Sequence, residues 1–169
     1  EEGNEVARGA AGEVVGHSPA MMTAYHRQPD KTREVLWFDA TGKRFIRTGD
    51  VGRFDEDGFL TLIDRRKDMI ISGGFNLYPS ELEAVLLRHP AVQEAAVVGI
   101  ASEHWGETPV AFVVLRAGVG VPPEELRAWF NERVGKTQRL ADLRLVEALP
   151  RSAIGKVLKR SLRDAYTTI

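Results

Sequence analysis

The sequence predicts an α+β protein in two parts. A β-rich stretch, the remnant of a larger N-terminal domain, precedes a small α/β domain with a three-stranded sheet, flanking helices and a β-hairpin. Three observations predict this. Short apolar runs separated by Asp/Gly turns fill residues 1–63. From residue 68 onward, apolar runs of strand length alternate with amphipathic helical stretches. Prolines and glycines stand at the seams between them.

Taken in order, Glu13-Val14-Val15, Arg44-Phe45-Ile46-Arg47 and Phe59-Leu60-Thr61-Leu62-Ile63 read as strands. Asp39-Ala40-Thr41-Gly42 and Asp55-Glu56-Asp57-Gly58 read as turns, with Gly free to take a left-handed position. Residues 29–33 admit one short helical turn. A few strands of this length make a poor independent core, so the segment is expected to lean on a body outside this sequence.

In the second part Met69-Ile70-Ile71 is a strand ended by Gly73-Gly74. A helix follows, with Leu82, Val85, Leu86 and His89 on one face. Pro79 suits a first helical position, while Ser80 and Glu83 could form a capping box one residue later; both starts stay open. Pro90 stops the helix. Residues 94–100 and 109–115 are β-rich. Residues 122–134 form a helix with Leu126, Trp129, Phe130 and Val134 on its buried stripe. Residues 143–146 give a last strand and 157–166 a last helix.

Composition narrows the function. At 169 residues the chain makes one ordinary domain or two small ones. Its 43% hydrophobic and 28% charged content is that of an ordinary water-soluble protein. A formal net charge of −1 provides no global field for nucleic acid or an anionic membrane. Cysteine is absent, which excludes disulfides, thiolate metal sites and a cysteine nucleophile. His17, His26, His89 and His104 are scattered, so no metal site is expected. No apolar run approaches the length of a membrane span, and no signal-peptide pattern is present. The first residue is Glu rather than Met, which fits a fragment.

Three segments carry unusual chemistry for surface loops. The first is Arg47-Thr48-Gly49-Asp50 at a strand end. The second runs from Asp64-Arg65-Arg66-Lys67-Asp68 through Ser72-Gly73-Gly74 to Glu83. The third is Leu149-Pro150-Arg151-Ser152-Ala153-Ile154-Gly155-Lys156. Asp50 is either a turn-capping carboxylate or an acceptor for sugar hydroxyls. The charges at 64–68 suit a solvated linker. Gly73-Gly74 suits a hairpin turn or the close approach of a ligand. Lys156 on a glycine-flexible loop is a mobile cation suited to phosphate or carboxylate oxygens. Gly135-Lys136-Thr137 imitates the end of a P-loop, but the required leading glycine would fall on helical Phe130, so no nucleotide cradle is expected there.

The order and wording of these segments resemble the C-terminal signature of the adenylate-forming, AMP-binding enzymes: acyl- and aryl-CoA synthetases, firefly-type luciferases and peptide-synthetase adenylation domains. Gly12-Glu13-Val14-Val15, Ala24-Tyr25-His26 with Pro29 and Thr32, and the stretch 39–50 extend the resemblance over nearly all of residues 9–168. His104-Trp105-Gly106-Glu107 resembles the aryl-CoA ligases, and the 64–83 stretch is similar to bacterial fatty-acyl and aryl-CoA ligases.

The resemblance implies an AMP-forming acid–CoA ligase. ATP and a carboxylate give an acyl-adenylate and pyrophosphate; CoA thiol then displaces AMP. It implies that residues 1–63 trail from a large nucleotide-binding domain, 64–68 are a hinge, and 69–169 are a mobile lid that rotates between half-reactions. Under it Lys156 acts in adenylation, Asp50 accepts ribose hydroxyls, Arg65 holds the ribose or phosphate side, and Lys67 absorbs the rotation. Gly73 and Gly74 leave room for the pantetheine arm. Trp105 lies on the CoA adenine, or else is a partly buried core aromatic; Arg139 meets a CoA phosphate. The family's aromatic-Lys-x-Pro segment is replaced here by Thr137-Gln138-Arg139-Leu140, which removes the aromatic and the proline.

The expected cofactors and substrates are ATP, CoA, a carboxylic acid and Mg²⁺. The Mg²⁺ site, acyl pocket and phosphate loop are expected upstream, leaving the isolated chain inactive. Its own N-terminal domain is the expected partner, without nucleic acid or a transmembrane segment, in the cytoplasm. A carrier-protein-loading adenylation domain, a luciferase-like oxidative enzyme and a non-catalytic module of the same fold are the alternatives.

Overall fold

Residues 3–167 are described by the computed structural model, and the chain divides into two units between Lys67 and Asp68. The first unit contains β1 (Gly12–Gly16), α1 (Pro29–Val35), β2 (Leu36–Phe38), β3 (Arg44–Phe54) and β4 (Leu60–Arg65). All its strand pairings are antiparallel and all use β3, against β1, β2 and β4. Helix α1 is the short turn read from Pro29, with Pro in its first turn and no buried residue. Strand β2 was not legible, because three residues cannot show an alternation.

Side-chain chemistry closes the turns of this unit. Asp39 Oδ1 accepts the Thr41 and Lys43 backbone N–H groups and the Thr41 hydroxyl, while Gly42 takes φ 81°. The Thr41 hydrogen bond is the main reason that the Asp39 carboxyl sits below its ordinary pKa. Among the described residues up to Lys67, Val51 is the one buried hydrophobic side chain. Phe38, Phe54, Phe59, Leu60 and Leu62 are exposed. Such a sheet buries too little apolar surface to offset its ordering entropy alone.

The second unit is built on a sheet ordered β6-β5-β8-β7, with β9 also pairing β8. It comprises β5 (Ile70–Ser72), β6 (Phe75–Leu77), α2 (Pro79–Leu86), β7 (Val92–Ser102), β8 (Gly106–Leu115), α3 (Pro123–Asn131), β9 (Asp142–Leu145) and α4 (Lys159–Thr167). The expected three-stranded sheet is β7-β8-β9. The expected hairpin is β5-β6, joined to β8 through the single pair Ser72↔Gly106. Strands β7 and β8 are antiparallel and β9 runs parallel to β8.

Two cores follow from the period of 2 along β7 and β8. Val97, Ala111 and Val113 face one side with Leu82 and Leu86 of α2, Leu126 and Phe130 of α3, Leu140 and Leu143. Ala96, Val98, Val110, Phe112 and Val114 face the other with Leu149 and Leu162 of α4. A sheet covered on both faces has no polar side to alternate, so its strands read as continuous apolar runs.

The start of α2 settles on Pro79, with Tyr78 as N-cap and no side-chain cap bond. Glu83 accepts the Val97 backbone N–H at 2.8 Å and pairs with Lys159 Nζ at 2.8 Å, tying α2 to β7 and α4. The helix stops at Leu86, three residues short of His89; that ring packs edge-on against Trp129, centroids 4.8 Å apart. Helix α3 likewise ends at Asn131, so Val134 reaches the core from outside it.

Phe130 is fully buried between α3 and the sheet. Phe130→Ala is expected to cost about 3–5 kcal/mol, as a large-to-small core change that leaves a cavity. Urea denaturation should show a lower midpoint at an unchanged slope.

Candidate functional site

Arg47-Thr48-Gly49-Asp50 lies inside β3 rather than at a strand end. The ladder with β1 is broken there: Glu13 pairs Val51 and Val15 pairs Arg47. The intervening residues of β3 bulge, with Gly49 at φ 72°. The Thr48 hydroxyl repairs the break, donating to the Val14 carbonyl at 2.8 Å and accepting the Asp50 N–H at 3.1 Å. Asp50 is thereby set opposite Arg65 of β4, and its Oδ1 lies 2.7 Å from Arg65 Nε. The two polar residues predicted for ribose are thus one cross-strand ion pair.

Strand β4 runs on through Asp64 and Arg65, and a 3-10 turn covers Arg66–Asp68. Within the first unit Arg66 Nη1 is 3.0 Å from Glu13 Oε2, which also lies 3.5 Å from Arg47 Nε. Within the second, Asp68 Oδ1 is 3.2 Å from Arg163 Nη2 of α4. Lys67 stands between these two anchored neighbours, exposed, and makes no ion pair or side-chain hydrogen bond among the described residues.

Gly73 and Gly74 form the two-residue turn between β5 and β6, at φ 57° and 81°. Positive φ at both central positions is what a type I′ hairpin turn requires. The two glycines differ in their surroundings. A Cβ on Gly73 would lie 2.7 Å from Trp105 Cε3, whereas one on Gly74 would meet nothing within 4 Å. The Gly73 N–H also donates to the Trp105 carbonyl at 2.8 Å. Trp105 sits in the β7–β8 turn, half-buried, edge-on to His104 at 4.6 Å, with Lys136 Nζ 5.9 Å from its ring.

Trp105 and Arg139 line the same open pocket, about 510 Å³ in volume, in the second unit. Arg127 and Lys136 bring its cations beside Arg139 to three, and its lining contains no carboxylate. Ser72, Ser102, Thr108, Asn131 and Thr137 supply polar edges. Such a surface suits a multiply charged anion joined to a flat ring. Lys136, Arg127 and Asn131 were not foreseen as site residues, since two lie on helix α3 with no motif around them. Lys136 had signalled itself only through the misleading P-loop likeness.

Lys156 does not line that pocket. It leaves a tight turn in which Ser152 N–H donates to the Lys156 carbonyl at 2.8 Å and Gly155, at φ 80°, donates to the Ser152 carbonyl at 2.9 Å. Arg151 and Val157 bridge across the turn. Arg151 clamps it further, donating to the Gly155 carbonyl at 2.7 Å and pairing with Glu94 of β7. Lys156 is exposed while the backbone turn beneath it is held.

Residues 81–156 match the family model described as the AMP-binding enzyme C-terminal domain. A 2-succinylbenzoate–CoA ligase of Geobacillus kaustophilus is 44% identical over 96% of this chain and 32% of its own length. A fatty acid–acyl-carrier-protein ligase of Streptomyces coeruleorubidus is 42% identical over 98% of this chain and 31% of its own. The ATP-bound MatB structure from Rhodopseudomonas palustris superposes with a TM-score of 0.89 at 34% identity, over 98% of this chain and 32% of that one. The chain spans about a third of the length of these relatives.

The glycine turn yields a test. Gly73→Ala and Gly74→Ala both strain a left-handed residue, at about 1–2 kcal/mol each. Only the former also displaces Trp105, so its loss in chemical denaturation should be the larger. In a Trp105→Ala background the two losses should become equal.

Proposed function

We propose, from the match of residues 81–156 to the AMP-binding enzyme C-terminal domain model, that this chain is the C-terminal portion of an AMP-forming acid–CoA ligase. In this reading residues 1–63 trail from a large nucleotide-binding domain, 64–68 are the hinge, and 69–169 are the lid. The exposed apolar side chains of the first unit support it, because they need a body to cover them. The isolated chain has neither the acyl pocket nor the phosphate loop and is inactive alone; Mg²⁺ binds in the upstream part. No helix among the described residues is long and apolar enough to cross a membrane.

The observation that carries CoA as acceptor is the pocket with Trp105 and three cations and no carboxylate. CoA offers an adenine and several phosphates to such a surface. A carrier-protein acceptor is the second reading, favoured by the 42% identity to a carrier-protein ligase. In the intact enzyme, ATP–pyrophosphate exchange followed by a choice of CoA or carrier protein separates the two. Thioester formed on CoA supports the proposal; thioester formed on the carrier protein alone overturns it.

The chemistry assigned to the residues is electrostatic. Lys156 neutralises the carboxylate and α-phosphate oxygens as they approach and as charge moves to the pyrophosphate leaving group. One such pair at 4 Å and an effective dielectric near 20 is worth about 4 kcal/mol before desolvation. Asp50 accepts the ribose hydroxyls, with Arg65 orienting its carboxylate and holding the ribose or phosphate side. Gly74 leaves open space for the pantetheine arm. Lys67 absorbs the rotation because its neighbours on either side are held and it is not.

Lys156→Ala in the intact enzyme is expected to lose roughly 10²–10³-fold in adenylation, comparable to removing one preorganised donor. Thioester formation from supplied acyl-adenylate should survive; equal loss in both half-reactions would sink the assignment. Lys67→Pro, which fixes φ near −65°, should impair one half-reaction selectively when each is timed separately. A uniform fall in both would count against a hinge.

A further inference from the structure

The segment that carries Arg139 lacks the proline and aromatic that the family pattern places there, yet its backbone is held at several points. Leu140 is 2% exposed and anchored in the core. Its N–H donates to Asn131 Oδ1 at 2.8 Å, and its carbonyl accepts from Asn131 Nδ2 at 3.2 Å. One turn earlier on α3, Arg127 Nη1 donates to the Ala141 carbonyl at 2.6 Å. Ahead of Arg139, Gln138 closes the short turn by accepting the Gly135 N–H at 3.0 Å. Arg139 itself is exposed and lines the pocket. A proline at position 140 would have no N–H to donate. Leucine supplies that N–H, and Asn131 takes both polar groups of the residue, replacing the restraint of a ring by a two-point clamp.

We infer that Asn131 is a positioning residue for phosphate recognition: by clamping Leu140 it fixes the backbone from which Arg139 meets a phosphate of CoA. This rests on the CoA reading of the pocket. A guanidinium contributes most when its geometry is set before the ligand arrives, since less ordering remains to oppose binding. Loosening residue 140 frees Arg139 without removing its charge, so affinity falls while electrostatic attraction persists.

The test uses the intact ligase and four variants: Asn131→Ala, Asn131→Asp, Arg139→Ala and the double Asn131→Ala/Arg139→Ala. ATP–pyrophosphate exchange, the KM for CoA and thermal melting are measured on each. Arg139→Ala should raise the KM for CoA about 10–100-fold, the scale of one charge-assisted phosphate contact. Asn131→Ala should raise it about tenfold with exchange unchanged, and the double variant should match Arg139→Ala alone, because the two act as one unit. Asn131→Asp loses the donor to the Leu140 carbonyl and sets a carboxylate in the pocket lining, so it should raise the KM at least as far as Asn131→Ala. If Arg139→Ala leaves the KM unchanged, the pocket reading fails and the inference with it. If Arg139→Ala raises the KM but Asn131→Ala adds independently to it, or neither asparagine variant changes it, the positioning role alone is overturned. Should Asn131→Ala not fold, Asn131→Gln, which keeps an uncharged amide but moves it one methylene away from residue 140, takes its place in the same comparison with Arg139→Ala.

Discussion

The antiparallel register of β7 and β8 is the constraint on which the second unit depends. Val97 opposite Ala111 and Val98 opposite Val110 assign alternate residues to the two cores. A slip by one residue would exchange the faces of the slipped strand, setting its side chains against helices shaped for others. The same ladder closes with Ser102 opposite Gly106, which fixes the turn that holds Trp105. Strand β8 also pairs with β9 and β5, and Ser72 at the end of β5 lines the same pocket as Arg139. The pocket is a consequence of where the hairpin ends.

Residues with a proposed chemical role are held here by ordinary structural devices. Thr48 and Gly49 repair and shape a bulge whose product is the position of Asp50. Gly73 has no side chain because Trp105 occupies the space, while Gly74 is open and constrained by its φ angle alone. Arg151 holds the turn below Lys156 through Glu94. Exposed ion pairs of this kind contribute at most about 1 kcal/mol each to stability. Their larger effect is to limit the conformations from which a functional side chain starts.

The two units differ in what they can do alone. The second covers both faces of its sheet with its own helices. The first organises three strands around β3 but leaves Phe54, Phe59, Leu60 and Leu62 exposed. Between them the chain is tethered at Arg66 and at Asp68, each to its own unit. Lys67 stands between these two anchored neighbours and makes no ion pair or side-chain hydrogen bond among the described residues.

Much of this was legible in the residues. Apolar runs and period-3.6 patterns gave β5, β7, β8, β9 and the helices of the second unit, and Pro79 was one of the two starts left open for α2. The family likeness of the 64–83 stretch and of the segment ending at Lys156 rests on residue identity, which needs no fold to be read. What could not be read were the contacts between distant segments. Nothing local shows that Glu83 turns from its own helix end toward Val97 and Lys159, that Trp105 abuts Gly73, or that Asn131 grips Leu140. The sequence by itself determined the local conformations and the chemistry of the side chains, because propensity, turn geometry and charge are properties of neighbouring residues. The tertiary structure alone decided which of them meet, because a hydrogen bond, ion pair or packed ring between residues 9 to 76 positions apart exists only once the sheet register has brought them within reach.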